Sequence, residues 1–309
     1  MGKIAFVFSG QGAQYAGMGR EISELYPAAA AVFAMADRLR PGTSAQCFDS
    51  SAEELALTLN TQPCLLAVEL ACAAGAAEAG IVPEGVAGFS LGEIAALGFG
   101  GVLSGEDSFS LVCKRAETMD ICAAQNPGGM AAVLRLESGD IEDMCRAFSK
   151  VWPVNYNCPG QTVVAGEVGE LEEFIAALKQ KGGRAIKLDV SGAFHSPFMA
   201  AATDQMAEIL KGYSLNTPRI PVYSNLTAAP YSGDMAGLIS RQISNPVQWE
   251  QTICNMINDG FDTFIEMGPK AVLRGLISKI SGDVTALSFG DAAGAEEALA
   301  VLSGEIKHA

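Results

Sequence analysis

Histidine is scarce in this sequence: two occur in 309 residues, His195 and the penultimate His308. A chain end frays, so any chemistry that needs an imidazole base has one internal candidate, His195. Basic residues are also few, 20 Lys and Arg against 35 Asp and Glu, for a formal net charge of -15. That balance excludes a general nucleic-acid binder, which needs clustered cations to neutralise phosphates. An acidic partner would have to dock on a local basic patch. The eight cysteines (Cys47, Cys64, Cys72, Cys113, Cys122, Cys145, Cys158, Cys254) form no CxxC pair. Neither a disulfide framework nor a metal site is therefore expected, and buried reduced thiols in a cytoplasmic protein are. No run is long and apolar enough to cross a bilayer. The opening MGKIAFVFSG has too short an apolar stretch and no processing pattern for a secretion signal.

What is present fits an α/β chain: 34 glycines, abundant alanine and 49% hydrophobic residues, enough for a large domain with a smaller one attached. Ile4–Phe8 reads as a first strand, and SGQGAQYAGMG as a loop entering a helix. Tyr15 stands where a dinucleotide-binding loop needs its third glycine, so that reading fails. Pro63 to Ala79 predicts a buried helix, Val86 to Phe89 a short strand, Glu93 to Leu97 a helix and Asp107 to Ala124 another. The rhythm then shortens. Strand MAAVLRL, helix Ile141–Phe148, strands VWPVNYN and QTVVAGE, helix Leu171–Lys181 and strand RAIKLDV make β-α-β-β-α-β, the ferredoxin-like order. Residues 128–190 are thus read as a small domain inserted into a larger one formed by 1–127 and 191–309. Further elements are a helix over Ser196–Leu210, strand IPVYSN, strand Thr263–Met267, a helix after Lys270, strand Val284–Phe289 and a final helix.

GFSLGEIAAL carries the first chemical signal. Gly88-Phe89-Ser90-Leu91-Gly92 fits the G-x-S-x-G nucleophile elbow, with a strand entering and a helix leaving. Ser90 is either a nucleophile or a polar residue in a tight glycine turn. A serine hydroxyl needs a base, and elimination leaves His195. Its loop, SGAFHSP, follows a predicted strand end at Leu188–Ser191, where α/β folds place catalysis. A structural histidine is the alternative. Lys114-Arg115 taken alone is an ordinary solvated pair on a helix.

The motifs FVFSGQGAQYAGMG, GFSLGEIAAL, KRAETMD, NYNCPGQTVVAG, SGAFHSPFM, RQISNPVQW and EMGPKAVL occur in order almost end to end. Together they resemble the malonyl-CoA:acyl carrier protein transacylase family. The resemblance implies an α/β-hydrolase-like large domain with an inserted ferredoxin-like small domain. It implies Ser90 as nucleophile, His195 as base and then acid, and the Gln242 main-chain carbonyl orienting the histidine. Backbone N–H groups of Gln11 and Leu91 would form the oxyanion hole. Arg115 would bind the malonyl carboxylate through charge-assisted hydrogen bonds. Met119 and Phe194 would line the acyl pocket, with Phe194 crowding a 2-methyl branch. Asn157 and Gln161 would line the cleft between domains, and Asn225 matches a family motif whose role is structural or functional. Two positions depart from the pattern: Phe89 replaces the usual His and Ser9 the usual Pro.

The implied activity is ping-pong transfer of malonyl from malonyl-CoA to the phosphopantetheine thiol of acyl carrier protein, in fatty acid or polyketide synthesis. Alternatives are a thioester hydrolase on the same fold, another acyl-CoA preference, or a scaffold that binds carrier protein without turnover. No resident cofactor or metal, no nucleic acid and no membrane is implied, and family precedent suggests a monomer. Arg184, Lys187, Lys270, Arg274 and Lys279 are candidate cations for docking an acidic carrier protein.

Overall fold

The computed structural model describes residues 2–305, so His308 lies outside the described residues. Its strands are β1 (Lys3–Phe8), β2 (Gly85–Gly88), β3 (Gly129–Leu134), β4 (Val151–Cys158), β5 (Gln161–Gly166), β6 (Arg184–Lys187), β7 (Val222–Tyr223), β8 (Phe261–Met267) and β9 (Thr285–Ser288). Five of them form a wholly parallel sheet in the order β7-β2-β1-β8-β9. Parallel sheets are covered on both faces, so their strands read as continuous apolar runs. Along β1, Ala5, Phe6, Val7 and Phe8 are all fully buried. Side chains alternate across a strand. Phe6 and Phe8 therefore enter the core built on helices Thr58–Glu78, Leu91–Phe99 and Gly105–Gln125, while Ala5 and Val7 pack with Trp249, Phe264 and Leu273 on the other face.

The remaining four strands make an antiparallel sheet in the order β4-β5-β3-β6. Helices Ser138–Cys145 and Val168–Gln180 cover it around Ile141, Phe174 and Leu178, a core separate from the first two. The small sheet is tied to the large domain by backbone. Tyr156 N–H donates to the Val247 carbonyl at 2.9 Å, and Val247 N–H to the Val154 carbonyl at 2.8 Å.

Three local expectations are corrected. Leu188–Ser191 is not strand: β6 ends at Lys187, and only Leu188 continues the pairing, through an N–H bond to the Met130 carbonyl at 2.9 Å. The helix expected after SGQGAQYAGMG is Arg20–Leu25, whereas helix Trp249–Asn258 and the helices between Pro27 and Ala56 were not anticipated. At 5 to 13 residues they are too short to be stable alone and are held by packing more than by propensity. IPVYSN contributes only Val222 and Tyr223 as strand, at the edge of the sheet. Among the described residues no helix is long and apolar enough to cross a membrane, and no group of three His, Cys, Asp or Glu could hold a metal ion.

Candidate active site

The site opens outside the carboxyl ends of β1 and β2, the place where open parallel sheets bind ligands. Both glycines of the Gly-x-Ser-x-Gly turn are needed for close approach. A Cβ on Gly88 would lie 2.0 Å from the Gly92 carbonyl carbon, and one on Gly92 would lie 2.2 Å from the Phe8 carbonyl oxygen. The turn drives Ser90 to φ 53, ψ -103, a sparsely populated conformation that lifts its side chain above the sheet. Side chains clamp the strained residue on both flanks. Its N–H donates to Asn225 Oδ1 at 2.6 Å, and its carbonyl accepts from Gln242 Nε2 at 2.5 Å.

Ser90 Oγ lies 2.7 Å from His195 Nε2. The histidine is buried and also has positive φ, at 61°. One short segment holds it completely: its N–H donates to the Ile243 carbonyl at 3.0 Å, and Nδ1 faces the Gln242 and Asn245 carbonyls at 2.9 and 3.2 Å. Carbonyls only accept, so Nδ1 carries the hydrogen and Nε2 is left as the acceptor facing Ser90. Burial, and then the charge of Arg115, lower the His195 pKa to about 4 against the pull of those two carbonyls. The ring is accordingly a neutral base at neutral pH.

Arg115 and Met119 project from one face of helix Gly105–Gln125, four residues apart. Arg115 is 1% exposed, yet every hydrogen-bond acceptor around it is neutral. Nη1 donates to Gln62 Oε1 at 2.7 Å, and Nη2 to Gln242 Oε1 at 2.9 Å and Ser90 Oγ at 3.2 Å. Burial lowers its pKa only to about 10, with Glu93 opposing, so the charge persists. A cavity of about 80 Å³ holds Ser90, His195, Arg115, Gln11 and Leu91, walled by Met119, Met130, Phe89 and Phe194. Among the described residues the N–H groups of Gln11 and Leu91 have no acceptor. Asn157 and Gln161 do not reach this cavity. They line an adjoining cleft of about 240 Å³ together with Gln11, Phe89 and Leu188.

The two departures have local accounts. Ser9 Oγ donates to the buried Glu69 Oε1 at 2.8 Å, beneath the β1 loop. Phe89 packs edge-on against the buried Trp249, with ring centroids 5.6 Å apart. Several site residues were not anticipated: Gln62, Asn155, the Gln242 side chain, and the pair Glu93–Tyr231. Glu93, in the first turn of its helix, is buried and accepts from Asn225 N–H at 3.0 Å and Tyr231 Oη at 2.7 Å. Gln62 shares the first turns of helix Thr58–Glu78 with a second amide, Asn60, and nothing in the sequence separates the two.

The acyl transferase domain family matches residues 5–288. A malonyl CoA-acyl carrier protein transacylase of Bacillus subtilis (strain 168) is 37% identical over 313 residues, covering 99% of each chain. The crystal structure of a malonyl CoA-acyl carrier protein transacylase from Clostridium perfringens superposes with a TM-score of 0.95 at 34% identity, covering 98% of each chain. A malonyl-transacylase in complex with its type II PKS acyl-carrier protein superposes with a TM-score of 0.92 at 33% identity, covering 96% of this chain and 99% of that one. Sequence and fold thus agree over nearly the whole length, around the half-buried Ser90 and the buried His195 and Arg115, and the chain belongs to the malonyl-CoA:acyl carrier protein transacylase family.

Proposed function

We propose that the chain moves malonyl from malonyl-CoA to the phosphopantetheine thiol of acyl carrier protein through an ester on Ser90. Ser90 Oγ attacks the thioester carbonyl and its proton passes to His195 Nε2. The tetrahedral oxyanion rests on the N–H groups of Gln11 and Leu91, and its collapse expels the coenzyme A thiolate, which takes the proton from His195. The carrier thiol then gives its proton to His195 and attacks the ester, and Ser90 leaves with that proton. Carbonyls at Gln242 and Asn245, in place of a carboxylate, hold the tautomer this needs.

The observation that carries malonyl over other acyl groups is Arg115, a buried guanidinium with only neutral acceptors, 3.2 Å from the nucleophile. A bound carboxylate supplies the charged hydrogen-bond partner that Arg115 lacks, and one that enters covalently attached to the thioester is held where Ser90 can reach its carbonyl. Met119 and Phe194 bound the acyl cavity, while Asn157 and Gln161 fit the approach of the pantetheine arm through the neighbouring cleft. Residues 128–190 act as an inserted domain that walls this approach. The two substrates and these side chains supply every group the reaction needs, so no resident cofactor is invoked. We place the activity in the cytoplasm, in a monomer. The carrier protein docks on cations at the cleft rim, chiefly Lys270, whose Nζ donates to the Gly12 carbonyl at 3.2 Å beside the oxyanion loop. Lys187 and Arg274 already pair with Glu172 and Glu297, and Arg184 and Lys279 complete the candidate set.

Transfer to phosphopantetheinylated carrier protein, measured with malonyl-, methylmalonyl- and acetyl-CoA, tests the reading. Malonyl should be strongly preferred. Equal rates for malonyl and acetyl would show that Arg115 does not select the acyl group.

A further inference from the structure

The side chain of Gln242 has no part in the steps above, which use only its main-chain oxygen. It is 2% exposed, and its amide is engaged at both ends. Oε1 accepts from Arg115 Nη2 at 2.9 Å, and Nε2 donates to the Ser90 carbonyl at 2.5 Å. A guanidinium only donates and a carbonyl only accepts, so the sense of the amide is fixed. The Ser90 carbonyl belongs to the same planar trans peptide as the Leu91 N–H, and in such a plane C=O and N–H point in opposite directions. Two donors hold this oxygen and so set where the Leu91 N–H points: the Glu93 N–H at 3.1 Å, from the start of the helix, and the closer Gln242 Nε2, the one side chain of the two. The peptide on the other side of Ser90 is gripped separately: Asn225 accepts from Ser90 N–H and donates to the Gly88 carbonyl at 2.5 Å. Of the two grips, Gln242 is the one that also touches Arg115.

We propose that the Gln242 side chain is a positioning residue for the oxyanion hole. Nε2 aims the Leu91 N–H at the developing oxyanion, and Oε1 ties that aim to the cation that receives the acyl carboxylate. The assignment rests on the reading of Ser90 as nucleophile and Leu91 as oxyanion donor.

Two variants keep the main-chain carbonyl that orients His195. Gln242→Met preserves volume and removes both grips, whereas Gln242→Glu keeps an acceptor for Arg115 and loses the donor to Ser90. Rapid-quench mass spectrometry reads the rate at which Ser90 gains an adduct from malonyl-CoA, and from p-nitrophenyl acetate, whose neutral acyl group makes no use of Arg115. Deleting an oxyanion donor costs about 10²–10³-fold, so mis-aiming one should cost about 10–100-fold. Both variants should be slowed by that factor with both donors, while in Gln242→Met, which adds no charge, the pH midpoint of the base stays at its wild-type value. A loss confined to malonyl-CoA, or a Gln242→Glu chain as fast as wild type, overturns the proposal, because the side chain would then serve Arg115 alone. If Gln242→Met does not fold, Gln242→Glu, which is near-isosteric with the native residue, decides alone. A wild-type chain that gains no adduct from either donor would refute the functional reading instead.

Discussion

His195 is shielded from water by the same packing that orients it, and this fixes how activity follows pH. Its folded pKa, about 4, lies below the ordinary 6.5, so the base form is lost only as pH falls through about 4. Acylation of Ser90 should be flat from about pH 6 to 9 and fall below about pH 5. A midpoint near 6.5 in a single-turnover pH profile would mean that the ring is solvated. At Arg115 the expectation concerns selectivity. Arg115→Gln removes a charge-assisted pair worth about 1.5–3 kcal/mol, so kcat/KM for malonyl-CoA should fall about 10–150-fold. Acetyl-CoA should lose much less, and Arg115→Lys should not restore the preference because an ammonium lacks the planar fork. Steady-state kinetics on the two donors would check both statements. Ser90 was legible in the sequence from a five-residue spacing, and His195 from elimination. Gln62 and the Gln242 side chain were not, because a buried amide gives no periodicity and its partner Arg115 lies 53 and 127 residues away respectively.

At the scale of elements, the elbow depends on how closely β1, β2 and helix Leu91–Phe99 approach one another. Adding a methyl at Gly88 or Gly92 would drive it into backbone atoms at 2.0 or 2.2 Å, and backbone cannot swing aside as a side chain can. Gly88→Ala and Gly92→Ala should each cost about 3 kcal/mol or more, a fall in Tm of roughly 4–5 °C or more. Thermal melts of the purified variants measure it, and a wild-type Tm would show that the elbow has slack. Long, strongly patterned elements were legible: β1, helix Thr58–Glu78 and the β-α-β-β-α-β run all stand close to where the sequence puts them. The miss at Leu188–Ser191 has a physical source. An apolar alternation signals a buried face, but pairing needs a neighbour, and β3 pairs β6 only as far as Lys187. His195 is reached by a loop, and its position is set by Gln242–Asn245 from the opposite side of the site.

For the molecule as a whole, three buried carboxyls and one buried imidazole oppose each other in stability. Burial raises Glu93 and Glu266 to about 7, and raises Glu69 well above the carboxylate range. For such acids the unfolded chain ionises first, so stability is greatest below about pH 4.5 and declines as pH rises toward and past their folded values. His195 acts the other way: the unfolded ring protonates below about 6.5, and stability declines as pH falls from there toward about 4. Three acids outweigh one imidazole, so Tm should fall as pH rises from about 5 through neutrality, with His195 offsetting only part of the slope below about pH 6.5. Glu69→Gln should flatten the alkaline side, and melts across pH at high salt would separate this from repulsion within the net charge of -15. A Tm that rises steadily through neutrality would contradict the assignment.

The central claim is a malonyl ester on Ser90 that a carrier thiol removes. The direct measurement is an intact-mass and peptide map after brief exposure to malonyl-CoA, repeated after adding phosphopantetheinylated acyl carrier protein. The account predicts one malonyl adduct, on the peptide containing Ser90, absent in Ser90→Ala and discharged onto the carrier faster than into buffer. An adduct lost equally fast in buffer alone would make the chain a hydrolase, and an adduct on any other residue would contradict the mechanism.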